Sequence, residues 1–263
     1  MSELQRVDKA KVRQSFAAAA NSYDAAAALQ RQVALRLIEQ FPLQTQAGVV
    51  LDVGCGTGFL TQQLVINPSI QTLFAVDMAM PMLQTSQAKP IRHVAGFVCA
   101  DAEQLPFVSA SLQQIYSSLA LQWCQNLATT LADFRRMLKQ GGQLVFATFG
   151  EATLHELKTA WAAVDDFAHV NSFESAAQIT TYLQRAGFSN ITLTTVLYQP
   201  RYPSVMALMQ ELKAIGAHNV NLARSRKPTT RQQLQAMIEQ YHGLIGRGEL
   251  LASYEVLLVR AES

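Results

Sequence analysis

Seven strand-like segments interleaved with helical patterns predict an α/β fold, a doubly wound and mostly parallel sheet with helices on both faces. Two observations carry that expectation. Apolar runs at roughly 48–53, 72–77, 94–99, 113–118 and 143–149 alternate with amphipathic stretches, and strands that alternate with helices pair in parallel and are covered on both sides. The first run leads into VVLDVGCGTGF, residues 49–59, where three glycines stand at every second position. That pattern reads as a buried strand, a tight glycine turn and a helix. With 263 residues, 49% of them hydrophobic and 15% charged, the chain is expected to form one domain around a sizeable core.

The elements follow in order. Two helices are expected before the first strand. Asp8 is placed to cap the first, and Leu29, Val33 and Leu37 recur at helical spacing in the second, which stops near Phe41-Pro42. After the glycine turn, Leu60 and Leu64 mark the next helix. Asn126 caps a later one, whose apolar stripe is Leu127, Leu131, Phe134 and Leu138, and Gly141-Gly142 is expected to end it. Then the rhythm changes. Helical patterns run through Leu154, Leu157, Trp161 and Val164, and from about Glu174 to Arg185. The strand candidates ITLTTVLY (191–198) and SYEVLLV (253–259) are separated by over fifty residues, with helices expected through Val205–Ile215 and near 229–241. A tight hairpin would need only a few residues, so the insertion reads as a lid or substrate wall.

Composition excludes several classes. The formal net charge of +2 is too small to imply nucleic-acid binding. No run of 18 apolar residues is present, so no membrane span is expected, and the polar start MSELQRVDKAKVRQ lacks a signal core. Cys55, Cys99 and Cys124 are odd in number and far apart. They predict reduced thiols in a cytoplasmic protein rather than a disulfide frame, and no cluster has metal-ligand spacing.

Ligands of open α/β sheets bind beyond the carboxyl ends of the strands. Asp52, Asp77-Met78, Asp101-Ala102 and Leu119 close the first four strand candidates in turn. A carboxylate at the end of the second strand can accept both hydroxyls of a ribose. The glycine spacing is G-x-G-x-G rather than the dinucleotide-binding G-x-G-x-x-G. The block LDVGCGTG resembles motif I of class I S-adenosylmethionine (SAM) dependent methyltransferases. That resemblance implies the Rossmann-like sheet order 3-2-1-4-5-7-6 with the last strand antiparallel, SAM as cofactor and S-adenosylhomocysteine (SAH) as its product. It also implies a role for each strand end. Asp52 would orient the methionine end, Gly54, Gly56 and Gly58 would let the ligand lie against the backbone, and Asp77 would hold the ribose. Met78 would pack on adenine, Asp101 with Ala102 would meet its amino group, and Leu119 would offer a carbonyl.

The resemblance narrows through SFAAAANSYDAAAALQRQ (15–32), DMAMPML (77–83), DAEQLPF (101–107), SSLALQWC (117–124), LHELKTAWAAVDDFAHVNSF (154–173) and LKAIGAHN (212–219). Together they are similar to the malonyl-[acyl-carrier protein] O-methyltransferase family, named BioC, over nearly the whole chain. Gln113 and Ser118 depart from the family pattern, which commonly has an acid and an asparagine there. The resemblance implies methylation of the free carboxylate of a malonyl thioester, on acyl-carrier protein or coenzyme A, early in biotin biosynthesis. Such a carboxylate is ionised at neutral pH and needs neither general base nor metal. Residues 1–45 are expected to form a helical flap, 46–150 the SAM-binding core, and 151–263 the substrate side, with a lid at about 200–248. Tyr23 in the flap, His169 braced by Asp165, and Arg201 are the candidate catalytic residues. Asn171, Phe173, Lys213 and Arg224 are the candidate acceptor-binding residues, because cations grip carboxylates. The basic run Arg224, Arg226, Lys227 and Arg231 is a candidate docking patch for an acidic carrier protein.

Overall fold

The computed structural model describes residues 7–44, 48–91, 94–217, 229–246 and 248–263. Three helical segments, α1 (Lys9–Ala19), α2 (Tyr23–Ala26) and α3 (Ala28–Gln40), precede the sheet. Asp8 caps α1 by accepting from the Lys11 amide at 3.2 Å. The expected second helix is α3, which carries Leu29, Val33 and Leu37 and stops at Phe41; the short α2 before it was not expected, and it is separated from α3 at Ala27, whose ψ of 40° leaves the helical range.

The core is β1 (Gly48–Val53), α4 (Phe59–Val65), β2 (Ile70–Asp77), α5 (Met80–Gln87), β3 (Val94–Cys99), β4 (Leu112–Ser118), α6 (Leu127–Met137) and β5 (Leu138–Phe149). Next come α7 (His155–Ala162), α8 (Ala176–Arg185) and β6 (Ser189–Tyr198). The insertion holds β7 (Arg201–Tyr202), α9 (Val205–Ala214), α10 (Arg231–Ile245) and β8 (Leu250–Leu251), and β9 (Tyr254–Glu262) completes the chain. The sheet order is β3-β2-β1-β4-β5-β9-β6. The first five strands run parallel, and β9 is antiparallel to both β5 and β6. With β9 counted as the seventh strand of the sheet, this is the expected order.

The pleat sends alternate residues to opposite faces. Val50, Val145 and Leu258 join Val33 and Leu37 of α3, Leu157 of α7, Leu208 of α9 and Met237 of α10 on one side. Leu51, Phe146 and Leu257 join Leu131 and Phe134 of α6 and Ile179 and Leu183 of α8 on the other. Each face is thereby buried under helices, which is why the strands read as nearly continuous apolar runs.

One helix end differs from expectation. α6 stops at Met137, and Leu138 is already extended (φ −72°, ψ 140°). Gly141 and Gly142 lie inside β5. The Gly141 amide donates to the Ser263 carbonyl and the Ser263 amide to the Gly142 carbonyl, so the glycines begin the pairing with the C-terminal strand instead of capping a helix. Likewise α7 ends at Ala162, and residues 163–173 are irregular.

Candidate active site

The carboxyl ends of β1 to β4 form one rim. Asp52 pairs in register with Ala75 of β2 and Tyr116 of β4, and Asp77 with Cys99 of β3. The glycine turn folds back over this rim. The amides of Gly54 and Cys55 both donate to the Val76 carbonyl, at 2.8 and 2.9 Å. The Gly56 amide donates to Asp77 Oδ2 at 2.9 Å, and the Ala79 amide to Asp77 Oδ1 at 2.8 Å. Burial raises the Asp77 pKa, and those amides pull the other way.

The three glycines do different things. Gly56 has φ +53°, and a Cβ there would meet nothing within 4 Å; the residue lies on the cavity wall. A Cβ on Gly54 would strike the Ala120 side chain, and one on Gly58 (φ +86°) would strike Ser86 and Ile91. Gly54 and Gly56 line the cavity, whereas Gly58 is absent from its walls and lets α4 pack against α5.

Of the remaining predicted cofactor residues, Asp77, Met78, Asp101, Ala102 and Leu119 line the same cavity. Leu119 adopts a left-handed φ of +51°, and its carbonyl already accepts from the Gln122 side-chain Nε2 at 2.8 Å. Asp52 is fully buried behind the glycine turn, outside the lining residues. Its Oδ2 accepts from Thr61 Oγ1 at 2.6 Å, while Oδ1 has no partner. Burial raises its pKa to about 7 against the pull of the Thr61 hydroxyl. Ser118 Oγ on the cavity wall is likewise buried without a partner. Two orphaned polar atoms and a glycine cradle that a Cβ would fill suit a polar ligand with an amino-acid end.

The N-terminal helices roof this rim. Lys9, Val12 and Phe16 of α1 and Tyr23 of α2 line the cavity. Lys9 bridges Asp101 and Glu103 at 2.6 and 2.7 Å. Burial would lower its pKa, but the two carboxylates outweigh it and raise it. Lys9 carried no mark in the sequence, since nothing local ties residue 9 to residue 101. Burial raises the Tyr23 pKa, so its hydroxyl keeps its proton. Asp24 ties α2 down, accepting from Thr57 Oγ1 at 2.5 Å and pairing with Lys89 at 2.7 Å. Ser22 Oγ reaches the Ala214 carbonyl of α9 at 2.9 Å, so the flap also touches the insertion.

A second cavity of about 240 Å³ lies on the substrate side. Phe149, Leu157, Trp161, Val170, Met209, Leu212 and Ile215 supply its apolar walls, and Gln30, Trp123, His169, Asn171 and Phe173 also line it. His169 stacks on Trp161 with ring centroids 3.7 Å apart, and its Nε2 meets Asp165 Oδ1 at 2.8 Å. The expected Asp165–His169 contact is therefore present, made in the irregular segment after α7 rather than along a helix. Asn171 is 7% exposed, and its Oδ1 has no partner. Phe173 sits edge-on to Phe149 and under Lys158 Nζ at 5.1 Å.

The predicted cations are placed differently. Arg201 is on the exposed β7 ribbon, paired with Glu249 at 3.2 Å, and lines neither cavity. Alternate side chains of a surface strand face solvent, and in this structure Arg201 does so while its neighbour Tyr202 is buried. Lys213 is exposed at the end of α9 and also lines neither cavity. Arg224, Arg226 and Lys227 lie outside the described residues, and Arg231 is exposed at the start of α10. No group of three or more His, Cys, Asp or Glu suited to a metal occurs among the described residues.

Sheet order, glycine turn and rim acids define a class I SAM-dependent methyltransferase. A methyltransferase-domain family model matches residues 51–146. The fold is similar to the Bacillus subtilis YcgJ protein (TM-score 0.63, 16% identity, 88% of this chain and 98% of that one). It is also similar to a Haemonchus contortus phosphoethanolamine N-methyltransferase solved with SAM (TM-score 0.56, 14% identity, 93% of this chain and 56% of that one). The chain belongs to the malonyl-[acyl-carrier protein] O-methyltransferase family. It is 40% identical over 251 residues to the Methylococcus capsulatus protein of that name, covering 94% of this chain and 91% of the relative. It is 39% identical to the Cellvibrio japonicus biotin biosynthesis bifunctional protein BioHC, over 95% of this chain but 49% of that longer protein. Among the described residues, no helix is long and apolar enough to cross a membrane.

Proposed function

We propose that this methyltransferase esterifies the free carboxylate of a malonyl group carried as a thioester on acyl-carrier protein, a step of biotin biosynthesis. Family membership supports the reaction, and one structural observation supports the acceptor. The apolar cavity shares Trp123 with the cofactor cavity, and Gln30 on its wall also lines a small space beside Tyr23, Gly54 and Gly56, so an acceptor in the apolar cavity would lie next to the cofactor. SAM supplies an electrophilic methyl on a sulfonium, and its transfer to a carboxylate oxygen returns the C–S bond pair to sulfur and moves no proton. The acceptor is ionised above pH ~6, so the chain's own residues need only align it and exclude water.

In this reading Asp52, Gly54, Gly56, Asp77, Met78, Asp101, Ala102 and Leu119 hold SAM. Tyr23 closes the flap over it as a neutral phenol. His169, Asn171 and Phe173 shape the acceptor cavity. Residues 1–45 act as the flap and about 200–248 as the acceptor-side lid, around a core from 46 to 150. Malonyl-coenzyme A is a weaker acceptor, and nucleic acid is not one. The test is transfer of labelled methyl from SAM to malonyl-carrier protein, malonyl-coenzyme A and free malonate. Transfer should be most efficient on the carrier protein. Activity confined to a free carboxylate or a quinone precursor would move the enzyme to a different acceptor class.

A further inference from the structure

Methyl transfer takes place where the two ligand spaces meet, and few side chains belong to both. Trp123 lines the cofactor and the acceptor cavities. Gln30 lines the acceptor cavity and the space beside the glycine turn. Both carry a neutral N–H donor. The Trp123 indole is 8% exposed, yet its N–H donates to no described residue and is not sealed by protein. The Gln30 amide likewise has no described partner. A nearly buried tryptophan N–H ordinarily finds an acceptor, and two side chains with unmet donors on the wall of one cavity fit an anionic ligand atom.

The Trp123 side chain is fixed from behind, and the Gln30 backbone is anchored by its helix. Phe16 meets the Trp123 ring edge-on at 5.4 Å and 82°, and the 3-10 turn Leu121–Trp123 holds its backbone. Gln30 stands on α3 between Leu29 and Val33, both buried in the core. Rigid backing is what a positioning role requires.

We infer that Trp123 Nε1–H and the Gln30 amide form a neutral clamp that receives the acceptor carboxylate at the point of methyl transfer. The inference rests on the carboxylate-methylating reading above and adds the residues that grip the reacting group. A neutral clamp also suits the chemistry. A guanidinium paired to the carboxylate would hold it firmly but draw charge from the attacking oxygen, whereas amide and indole donors orient it and leave its charge in place. The oxygen lone pair not engaged by the clamp is then the one free to attack.

The test uses Trp123→Phe, which keeps a ring against Phe16, and Gln30→Met, which keeps length without the amide. Each should lower kcat/KM for malonyl-carrier protein by about tenfold or more, the usual effect of losing a hydrogen bond to a charged group. SAH affinity should stay within about threefold, because a tenfold change would need a whole such bond. Binding is read separately, by titrating malonyl-coenzyme A and its uncharged carboxamide analogue into the SAH-loaded protein. The wild type should favour the carboxylate, and both variants should erase that preference. Retention of wild-type preference and kcat/KM in both variants overturns the clamp, even where methyl transfer to malonyl thioesters is confirmed. Parallel loss of SAH affinity also overturns it, since that marks a damaged cofactor wall. If the wild type favours the carboxylate, both variants erase that preference and no methyl is transferred, the acceptor reading fails and the clamp's place at the point of methyl transfer is overturned with it, leaving a carboxylate-binding site only. Transfer together with erased preference supports both.

Discussion

Replacing Gly56 and Gly58 by alanine in separate variants separates a ligand-facing glycine from a packing one. Both have positive φ, at +53° and +86°, so each alanine costs about 1–2 kcal/mol of left-handed strain. At Gly56 the added methyl enters open space and the stability loss should stop there. At Gly58 it meets the hydroxyl of fully buried Ser86 and the end of Ile91, adding roughly 1–3 kcal/mol of overpacking. Each kcal/mol lowers Tm by roughly 2–4 °C for a chain of this size, so Gly58→Ala should lose about twice as much Tm as Gly56→Ala. Cofactor affinity should rank the other way. The Gly56 methyl occupies the cradle and should weaken SAH about tenfold or more, ~1.4 kcal/mol, whereas folded Gly58→Ala should bind within a few-fold of wild type. Thermal unfolding and calorimetry with SAH measure both. A stable Gly58→Ala that cannot bind SAH, beside an unstable Gly56→Ala that can, refutes the division of roles.

Three further outcomes follow from the same geometry. Asp77→Ala strands the Gly56 and Ala79 amides and should weaken SAH by ~1–3 kcal/mol, measured by titration. Asp52 has a folded pKa of about 7, above the ~3.9 of an unfolded aspartate. The folded chain therefore binds that proton more tightly, and the stabilisation is complete below pH ~4 and lost as pH rises through ~7. Urea unfolding across that window should show wild type losing stability relative to Asp52→Asn, and parallel profiles would contradict the assignment. Lys9→Met breaks both bridges from α1 to the Asp101 rim and should speed SAH release by about three- to tenfold, or ~0.7–1.4 kcal/mol. An unchanged off-rate in stopped-flow would show that the α1 roof does not retain the cofactor.

The sheet was legible because its central strands are buried on both faces and the first three lead into an acid, Asp52, Asp77 or Asp101. Asp77 and Asp101 stand where the run lengths placed them. The short α2 before Ala27 and the use of Gly141-Gly142 inside β5 were not legible. The glycines depend on a partner far along the chain, Ser263. The cofactor side could be read from local spacing, since one turn and four strand ends make most of it. The acceptor side is assembled from α3, the segment after β4, the stretch following α7 and the insertion, so no single spacing reports it. Arg201 and Lys213 were selected by charge, yet the fold turns both to solvent. Gln30 and Trp123 carry no charge and stood inside family-like segments, LQR and LQWC, without any local sign of chemistry.

The most direct measurement is the identity of the product formed from malonyl-carrier protein and labelled SAM. Mass spectrometry of the released acyl group, with its lability to mild alkali, should place the methyl as an ester on the distal carboxyl, at a rate nearly flat above pH ~6. A methyl on carbon, nitrogen or a phenol, or no label on any malonyl thioester, would contradict the account and leave only a SAM-dependent methyltransferase of another acceptor.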